Sequence, residues 1–191
     1  MTGGVAAGAT MTLLGQSQRE AQRPIDPIIG PKRQTLIGCL NVRTMEESTR
    51  VGQVAKEMKE YGIEVLGISE FKWKGMGSIT LQSGEKVVYA GNDEVQRGGV
   101  TIMIIARAKG ALMEWTPISK RVITARFYSK YKKMMVVQAQ DTVSSCKRND
   151  MIVVIGDFNA KVGDNNISRE EVMWKFGVGV MNDNGERLCD F

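Results

Sequence analysis

The stretch MIVVIGDFNAKVG, residues 151–163, places an apolar run directly before an acidic turn. Consecutive apolar residues that are mostly β-branched are typical of a strand covered on both faces, although a run this short also fits a buried helix. Asp157 and Asn159 follow the run. The stretch therefore predicts a buried strand that delivers a carboxylate and an amide to a sheet edge, where open α/β folds place their functional sites.

Two further apolar runs, at residues 36–40 and 65–69, flank a predicted helix. The segment between them carries apolar residues at helical spacing and ends at Gly62. This order of strand, helix and strand predicts a βαβ unit with parallel strands.

Polar residues follow both strands of this unit. Asn41 follows the first strand and Glu70 the second. Parallel strands end at the same edge of a sheet, so these two residues are expected side by side. Asp157 and Asn159 would join them if residues 151–155 belong to the same sheet and run in the same direction.

The middle of the chain is rich in short β-prone runs separated by Gly, Asn, Asp and Lys, which is typical of antiparallel meanders. These runs are residues 87–90, 99–105, 122–128 and 134–138. Mixed strands with few helices predict an α/β (α+β mixed) layered sandwich. Residues 1–34, which hold three of the four prolines, are predicted to be a disordered leader, and the ordered domain is predicted to span residues 35–191.

Composition limits the possible chemistry. The 191 residues include no histidine, which excludes serine and cysteine hydrolases that use a histidine base. Three scattered cysteines fit neither a disulfide framework nor a zinc site, and a net charge of +5 modestly favours a polyanionic partner. With no long apolar window and no secretory signal, the sequence predicts an intracellular protein, nuclear or cytoplasmic, without a membrane partner.

The polar residues at the strand ends suit a hard divalent cation. Magnesium needs only one or two carboxylates together with waters and phosphate oxygens. We therefore expect Glu70 to be the metal ligand and Asp157 to orient or deprotonate an attacking water. Asn41 and Asn159 would position phosphate or metal-bound water without adding charge. The competing interpretation is that all four are polar caps where strands meet solvent.

Three motifs in this order resemble those of the endonuclease/exonuclease/phosphatase superfamily: LNVR at 40–43, GISE at 67–70 and IGDFN at 155–159. Within it, the chain is most similar to the endonuclease domains of RTE-type LINE retrotransposons, from about residue 35 to residue 191. The resemblance implies a four-layered α/β sandwich, cleavage of phosphate esters with Mg²⁺ or Mn²⁺, and DNA as the partner. It also implies the roles given above for the four candidate residues.

The chain departs from the superfamily pattern in two places. After residues 134–138 it lacks the motif whose tyrosine contacts the phosphate, and the 191 residues contain no late Asp-His pair, which predicts a domain that is incomplete at the C-terminus. Removing one such electrostatic group costs about a hundred- to a thousandfold in rate. We expect a degenerate or fragmentary endonuclease that is weakly active or inactive. The alternatives are a non-catalytic nucleic-acid-binding module and an incomplete gene product without a selected function.

Two basic segments could contact nucleic acid. Lys72, Trp73 and Lys74 directly follow Glu70, although Trp73 could instead pin its loop to the body. The second segment, residues 120–133, combines cations with aromatic rings, but a solvated hairpin tip is the preferred interpretation. Its members are Lys120, Arg121, Arg126, Phe127, Tyr128, Lys130, Tyr131, Lys132 and Lys133.

Overall fold

The computed structural model describes residues 18–19, 27–30, 32–45, 48–92, 98–139, 149–173 and 176–190. The strands in this part are β1 Gln18–Arg19, β2 Leu36–Met45, β3 Ile63–Phe71, β4 Met76–Thr80, β5 Lys86–Ala90, β6 Gly99–Ile104, β7 Leu112–Ser119, β8 Val122–Phe127, β9 Met134–Ala139 and β10 Met151–Ile155. The helices are α1 Ser48–Glu60, α2 Ala106–Lys109 and α3 Asp183–Cys189. None of the helices in these ranges is long and apolar enough to cross a membrane.

The strands form two five-stranded sheets, which we call the amino sheet and the carboxyl sheet. The amino sheet has the order β2-β3-β6-β5-β4, and the carboxyl sheet has the order β1-β7-β8-β9-β10. β2 and β3 are parallel, as the βαβ prediction requires, and β9 and β10 are also parallel. The remaining pairs are antiparallel, which confirms the predicted meanders.

Alternating side chains of β3 show how the layers pack. Val65 belongs to the core cluster between the two sheets, together with Ile123 and Phe127 of β8. Leu66 lies on the opposite face of β3 and packs under α1, because successive strand residues point to opposite faces. The mixed α/β sandwich predicted from the sequence is confirmed. The described residues supply the α1 layer and both sheets.

The structure corrects two expectations about residues 151–155. β10 lies in the carboxyl sheet, whereas β2 and β3 lie in the amino sheet. It is also not buried on both faces, because Met151 and Ile152 are each 39% exposed. Among the described strands β10 is the last of its sheet and has one neighbour, β9. An apolar run reports burial in general terms and does not distinguish an edge strand from a central one.

Residues upstream of Thr35, where the sequence predicts the ordered part to begin, are packed in the structure. Ile28 is fully buried in the core, and its backbone N–H donates to the Tyr128 carbonyl at 2.9 Å. Arg33 pairs at 2.9 Å with the buried carboxylate of Glu64. Residues 18–19 of the predicted leader form the two-residue strand β1. Residues 1–17, 20–26 and 31 lie outside the described residues.

Candidate functional site

The candidate site lies at one end of the sandwich, where β2, β3 and β10 finish. Asn41 of β2 faces Ser69 of β3 in the parallel register, and Ile155 at the end of β10 faces Gln138 of β9. Gln138 donates to the Ser69 hydroxyl across the two sheets, so the turn after β10 leaves the carboxyl sheet at the same end as the two amino-sheet strands. We refer to this end of the molecule as the site end.

The turn residues meet Asn41 across the two sheets. The Asn41 Nδ2 donates a hydrogen bond to Oδ2 of Asp157 at 2.5 Å, and the Asn159 N–H donates to Oδ1 at 3.2 Å. The second bond closes an Asx turn, in which an aspartate side chain accepts from the backbone two residues on. The structure thus brings together three of the four residues predicted from the sequence, within a single hydrogen-bonded group.

Ser69 joins the two sheets behind this group and was not predicted from the sequence. Its buried Oγ accepts from the Gln138 Nε2 at 2.9 Å and from the Asp157 N–H at 3.3 Å. The available signal was a hydroxyl that directly follows the apolar run of β3, since buried polar groups are usually hydrogen-bonded. Ser69 therefore anchors the backbone of the Asp157 turn to the amino sheet.

Glu70 follows Ser69 directly and has an unusual backbone. Its φ is +61°, at the irregularity between Ser69 and Phe71 in the β3–β6 ladder. A left-handed backbone at a residue other than glycine is uncommon, and such residues cluster at functional sites. The side chain is half-buried, and its carboxylate forms no ion pair with the residues that the structure describes. Glu70 is therefore adjacent in the chain to the hydrogen-bonded group and has a carboxylate available to another ligand.

The available ligands fit a hydrated cation better than a closed metal cage. Among the described residues no three His, Cys, Asp or Glu side chains come together as a metal site would require. Magnesium usually retains several waters and is held by one or two protein carboxylates. Glu70 of the amino sheet and Asp157, which follows β10 of the carboxyl sheet, would meet that requirement, and the amide oxygen of Asn41 would add a neutral ligand.

A segment near α3 supports the Asn159 turn and was missed by the sequence analysis. Asn182 caps α3 by accepting from the Gly185 N–H at 2.8 Å, and the same Oδ1 accepts from the Lys161 N–H at 2.9 Å. The Asn182 Nδ2 donates to the Asn159 carbonyl at 2.9 Å. Asn184 adds a bond to the Phe158 carbonyl at 3.0 Å. Only the capping role could have been suspected from the sequence, because asparagine is a favoured helix cap.

The loop that follows Glu70 is held by Trp73. The Trp73 ring lies 4.6 Å from the Phe71 ring and 5.1 Å from that of Tyr89, measured between centroids. Burial raises the pKa of the Tyr89 hydroxyl. Lys72 is half-buried and Lys74 is exposed. The Trp73 ring is thus used for packing within the chain, and the expected contact of this loop with nucleic acid stays a prediction.

The basic segment at 120–133 does not act as one surface. Arg126 is largely buried and forms ion pairs with Asp150 at 2.5 Å and Glu114 at 3.2 Å. The hydrogen bond with Asp150 raises the pKa of this guanidinium. Phe127 is fully buried in the core. These two residues have structural roles, whereas the lysines and Arg121 lie at the turns on either side of β8.

The architecture is that of a mixed α/β sandwich in which polar residues from both sheets meet at one end. This is the fold class that the sequence predicts. The chain is similar to craniofacial development protein 2 of Tragulus javanicus, with 31% identity over 179 residues, and to the Bos taurus protein, with 30% identity over 179 residues. Each match covers 84% of this chain and 30% of the relative, so the chain spans less than a third of the length of these curated relatives. No family model matches the chain.

Two solved structures show lower similarity. An endonuclease/exonuclease/phosphatase family protein from Leptotrichia buccalis has a TM-score of 0.48 at 13% identity, covering 73% of each chain. An AP endonuclease from Archaeoglobus fulgidus has a TM-score of 0.36 at 18% identity, covering 56% of this chain and 40% of its own. At these scores the structural similarity by itself supports no functional conclusion.

Proposed function

We propose that the site end carries part of an endonuclease-like centre for magnesium-dependent cleavage of phosphodiester bonds in DNA, derived from a retrotransposon. The observation that carries the proposal is the hydrogen bond between Asn41 and Asp157, at 2.5 Å, because it joins two motifs that are far apart in the sequence. Their similarity to superfamily motifs supports the same conclusion. An intracellular location, nuclear or cytoplasmic, goes with this proposal.

The charged and the neutral candidate residues would have different roles. Asp157 is the candidate for orienting or deprotonating the attacking water, because each carboxylate oxygen retains a lone pair beyond the bond that it already accepts. Asn41 and Asn159 would bind phosphate oxygens or water through neutral groups. Glu70 would hold the metal. A magnesium ion bound there would neutralise charge on the phosphate.

We further propose that these 191 residues cleave DNA weakly or not at all by themselves. They contain no histidine to stabilise the charge that develops in the transition state. Losing one preorganised group of this kind costs about a hundred- to a thousandfold in rate. The motif with the phosphate-binding tyrosine is also absent, and the segment at 140–148, where the sequence departs from the superfamily, lies outside the described residues.

Metal binding and DNA nicking test these two statements separately. The proposed metal role predicts that Glu70→Ala weakens Mn²⁺ binding, measured by calorimetry, by at least about tenfold, because the site has few other carboxylates. Glu57→Ala is the matched control, since it removes an exposed glutamate from α1. Equal Mn²⁺ affinity in both variants would refute the metal site. Rapid nicking of supercoiled plasmid that Glu70→Ala abolishes would instead refute the proposed lack of activity.

A non-catalytic nucleic-acid-binding module is the second candidate function. The exposed cations in the turns of the carboxyl sheet, together with the net charge of +5, favour it. Salt-dependent DNA binding that persists in EDTA and in Asp157→Ala, without any metal binding at Glu70, would support this candidate. Absence of DNA binding at low salt would exclude it.

A further inference from the structure

The strand registers divide the exposed cations of the carboxyl sheet between two opposite ends of the molecule. β8 begins opposite the end of β9, with Val122 paired to Ala139, and it ends opposite the start of β9, with Phe127 paired to Met134. The turn before β8 therefore lies at the site end, and the turn after it lies at the far end. A strand of this length separates the two turns by roughly 17 Å.

The turn at the site end is the tight hairpin that joins β7 and β8. Ser119 pairs with Val122, so Lys120 and Arg121 form a two-residue loop, and both are exposed. The Arg121 N–H donates to the Ser119 Oγ at 3.1 Å and closes the loop. A two-residue hairpin fixes the backbone from which these two cationic side chains extend. We call these two residues the hairpin tip.

A continuous path of backbone contacts connects the hairpin tip to Asp157. Val122, next to the tip, pairs with Ala139 on the neighbouring strand. Gly156 lies against Ala139 so closely that a Cβ added at Gly156 would be 1.8 Å from the Ala139 carbonyl oxygen. Adjacent strands lie about 4.8 Å apart, which places the hairpin tip on the order of 10 Å from the Asp157 turn.

Cations also lie at the site end of the amino sheet. Phe71 pairs with Gly99 and Met76 pairs with Ala90, so the connection between β3 and β4 runs over this end. Its lysines, Lys72 and Lys74, thus flank the Asp157 turn from the amino sheet while the hairpin tip flanks it from the carboxyl sheet. Positive charge at both sides of a site suits a polyanion that crosses both sheets.

We propose that the hairpin tip binds backbone phosphates of a DNA duplex whose scissile phosphodiester faces Asp157. This inference deepens the proposed function and rests on it. A duplex carries about one charge per 1.7 Å of its axis, so a span of about 10 Å presents several phosphates between the two positions. The lysines of the turn between β8 and β9 face the far end and take no part.

The test compares two double variants with the same change in charge. Lys120→Gln with Arg121→Gln alters the hairpin tip, and Lys132→Gln with Lys133→Gln alters exposed lysines in the far turn of the same sheet. Binding of a short labelled duplex is measured by fluorescence anisotropy over a range of salt concentrations in EDTA. Thermal unfolding of each variant verifies that it is folded.

The hairpin-tip variant is expected to bind DNA less tightly and to reduce the slope of log K against log salt by about 1.8, since each lost phosphate contact contributes about 0.9. The far-turn variant is expected to retain the wild-type slope. Equal losses in both variants, or no loss at the hairpin tip, would overturn the proposal. Because the assay contains no metal, its result is independent of the Mn²⁺ and nicking measurements that test the proposed function.

Discussion

Both oxygens of the Asp157 carboxylate accept hydrogen bonds from within the chain, Oδ2 from Asn41 and Oδ1 from the Asn159 N–H. Two donors fix the plane of the carboxylate before any ligand arrives, and preorganised groups of this kind are effective in catalysis because they need not reorganise. Asn159 itself has φ of +48°, a conformation that asparagine adopts more readily than most residues. The left-handed backbone at position 159 therefore favours asparagine over most other residues.

Cys39 provides a chemical reporter for the charge of Asp157. The thiol is accessible to solvent, and its pKa is raised above the ordinary value. Burial of part of the side chain is the main cause, and the negative charge of Asp157 raises the pKa further, whereas hydrogen bonds with the backbone of Gly156 and Leu40 lower it. The pKa of Cys39 should therefore respond to a change at Asp157.

We predict that Asp157→Asn lowers the pKa of Cys39, because it removes a nearby negative charge that disfavours the thiolate. At a given pH below the pKa, a larger fraction of the thiol is then ionised, and iodoacetamide modifies Cys39 faster. Alkylation rates at Cys39 against pH, resolved by peptide mass spectrometry, measure the shift. Cys189 in the same molecule is the internal reference, and Asp164→Asn is the charge-matched control. An unchanged pH profile in Asp157→Asn would contradict the prediction.

Among the elements, the seven-residue helix α3 supports the candidate site through the residue that caps it. Its cap, Asn182, bonds to Gly185 within the helix and to Lys161 and Asn159 in the turn that follows β10. Gly185 lies close to the same turn, where an added Cβ would be 1.9 Å from the Lys161 carbonyl oxygen. The start of α3 and the functional turn therefore form one hydrogen-bonded unit.

We predict that Asn182→Ala accelerates hydrogen exchange at the Lys161 and Gly185 amides, because both lose their acceptor. Loss of a helix cap also costs about 1 kcal/mol of stability. Asn182→Asp is the matched variant: it retains the acceptor for both amides but cannot donate to the Asn159 carbonyl, so protection of the two amides should remain close to wild type. Similar exchange rates in wild type and Asn182→Ala would show that the Asn182 side chain does not protect the Lys161 and Gly185 amides.

For the whole molecule, the site depends on how closely the two sheets approach. Gly67 of the amino sheet faces Gln138 and Ile155 of the carboxyl sheet, and a Cβ at Gly67 would lie 1.9 Å from the Gln138 Oε1 and 2.6 Å from the Ile155 Cδ1. That Oε1 is buried and has no hydrogen-bond partner among the described residues. The same Gln138 donates to Ser69. Close approach at Gly67 thus allows the bond from Gln138 to Ser69, whose hydroxyl also anchors the Asp157 turn.

We predict that Gly67→Ala destabilises the fold by about 1–3 kcal/mol, the usual cost of overpacking, because Gln138 cannot move away without breaking its bond to Ser69. Gly52→Ala is the matched control. Gly52 lies on the exposed face of α1 with nothing within 4 Å of an added Cβ, so alanine there should stabilise by about 0.5–1 kcal/mol. Urea unfolding of both variants measures the two free energies. A Gly67→Ala variant as stable as wild type would contradict the close packing.

Sequence alone determined the local features of this protein. Spacing of apolar residues predicts β2, α1 and β3, because such spacing is a property of neighbouring residues. The sequence also predicts that Asn41 and Glu70 follow their strands, but β2 continues to Met45 and β3 to Phe71, so both residues lie within strands. β4 and β7 escaped prediction: β7 contains Pro117 beside an irregularity, which obscures the alternation of a strand.

Only the tertiary structure decided which strands are neighbours. It places β10 at the edge of the carboxyl sheet, brings Asp157 to Asn41 from the opposite sheet, gives Ser69 its anchoring role and puts the hairpin tip at the site end. An apolar run predicts a strand but does not specify its partner, since pairing depends on contacts between residues distant in the chain. The presence and order of β2, α1, β3 and β10 were therefore predictable, whereas the meeting of Asn41 with Asp157 required the packing of one sheet on the other.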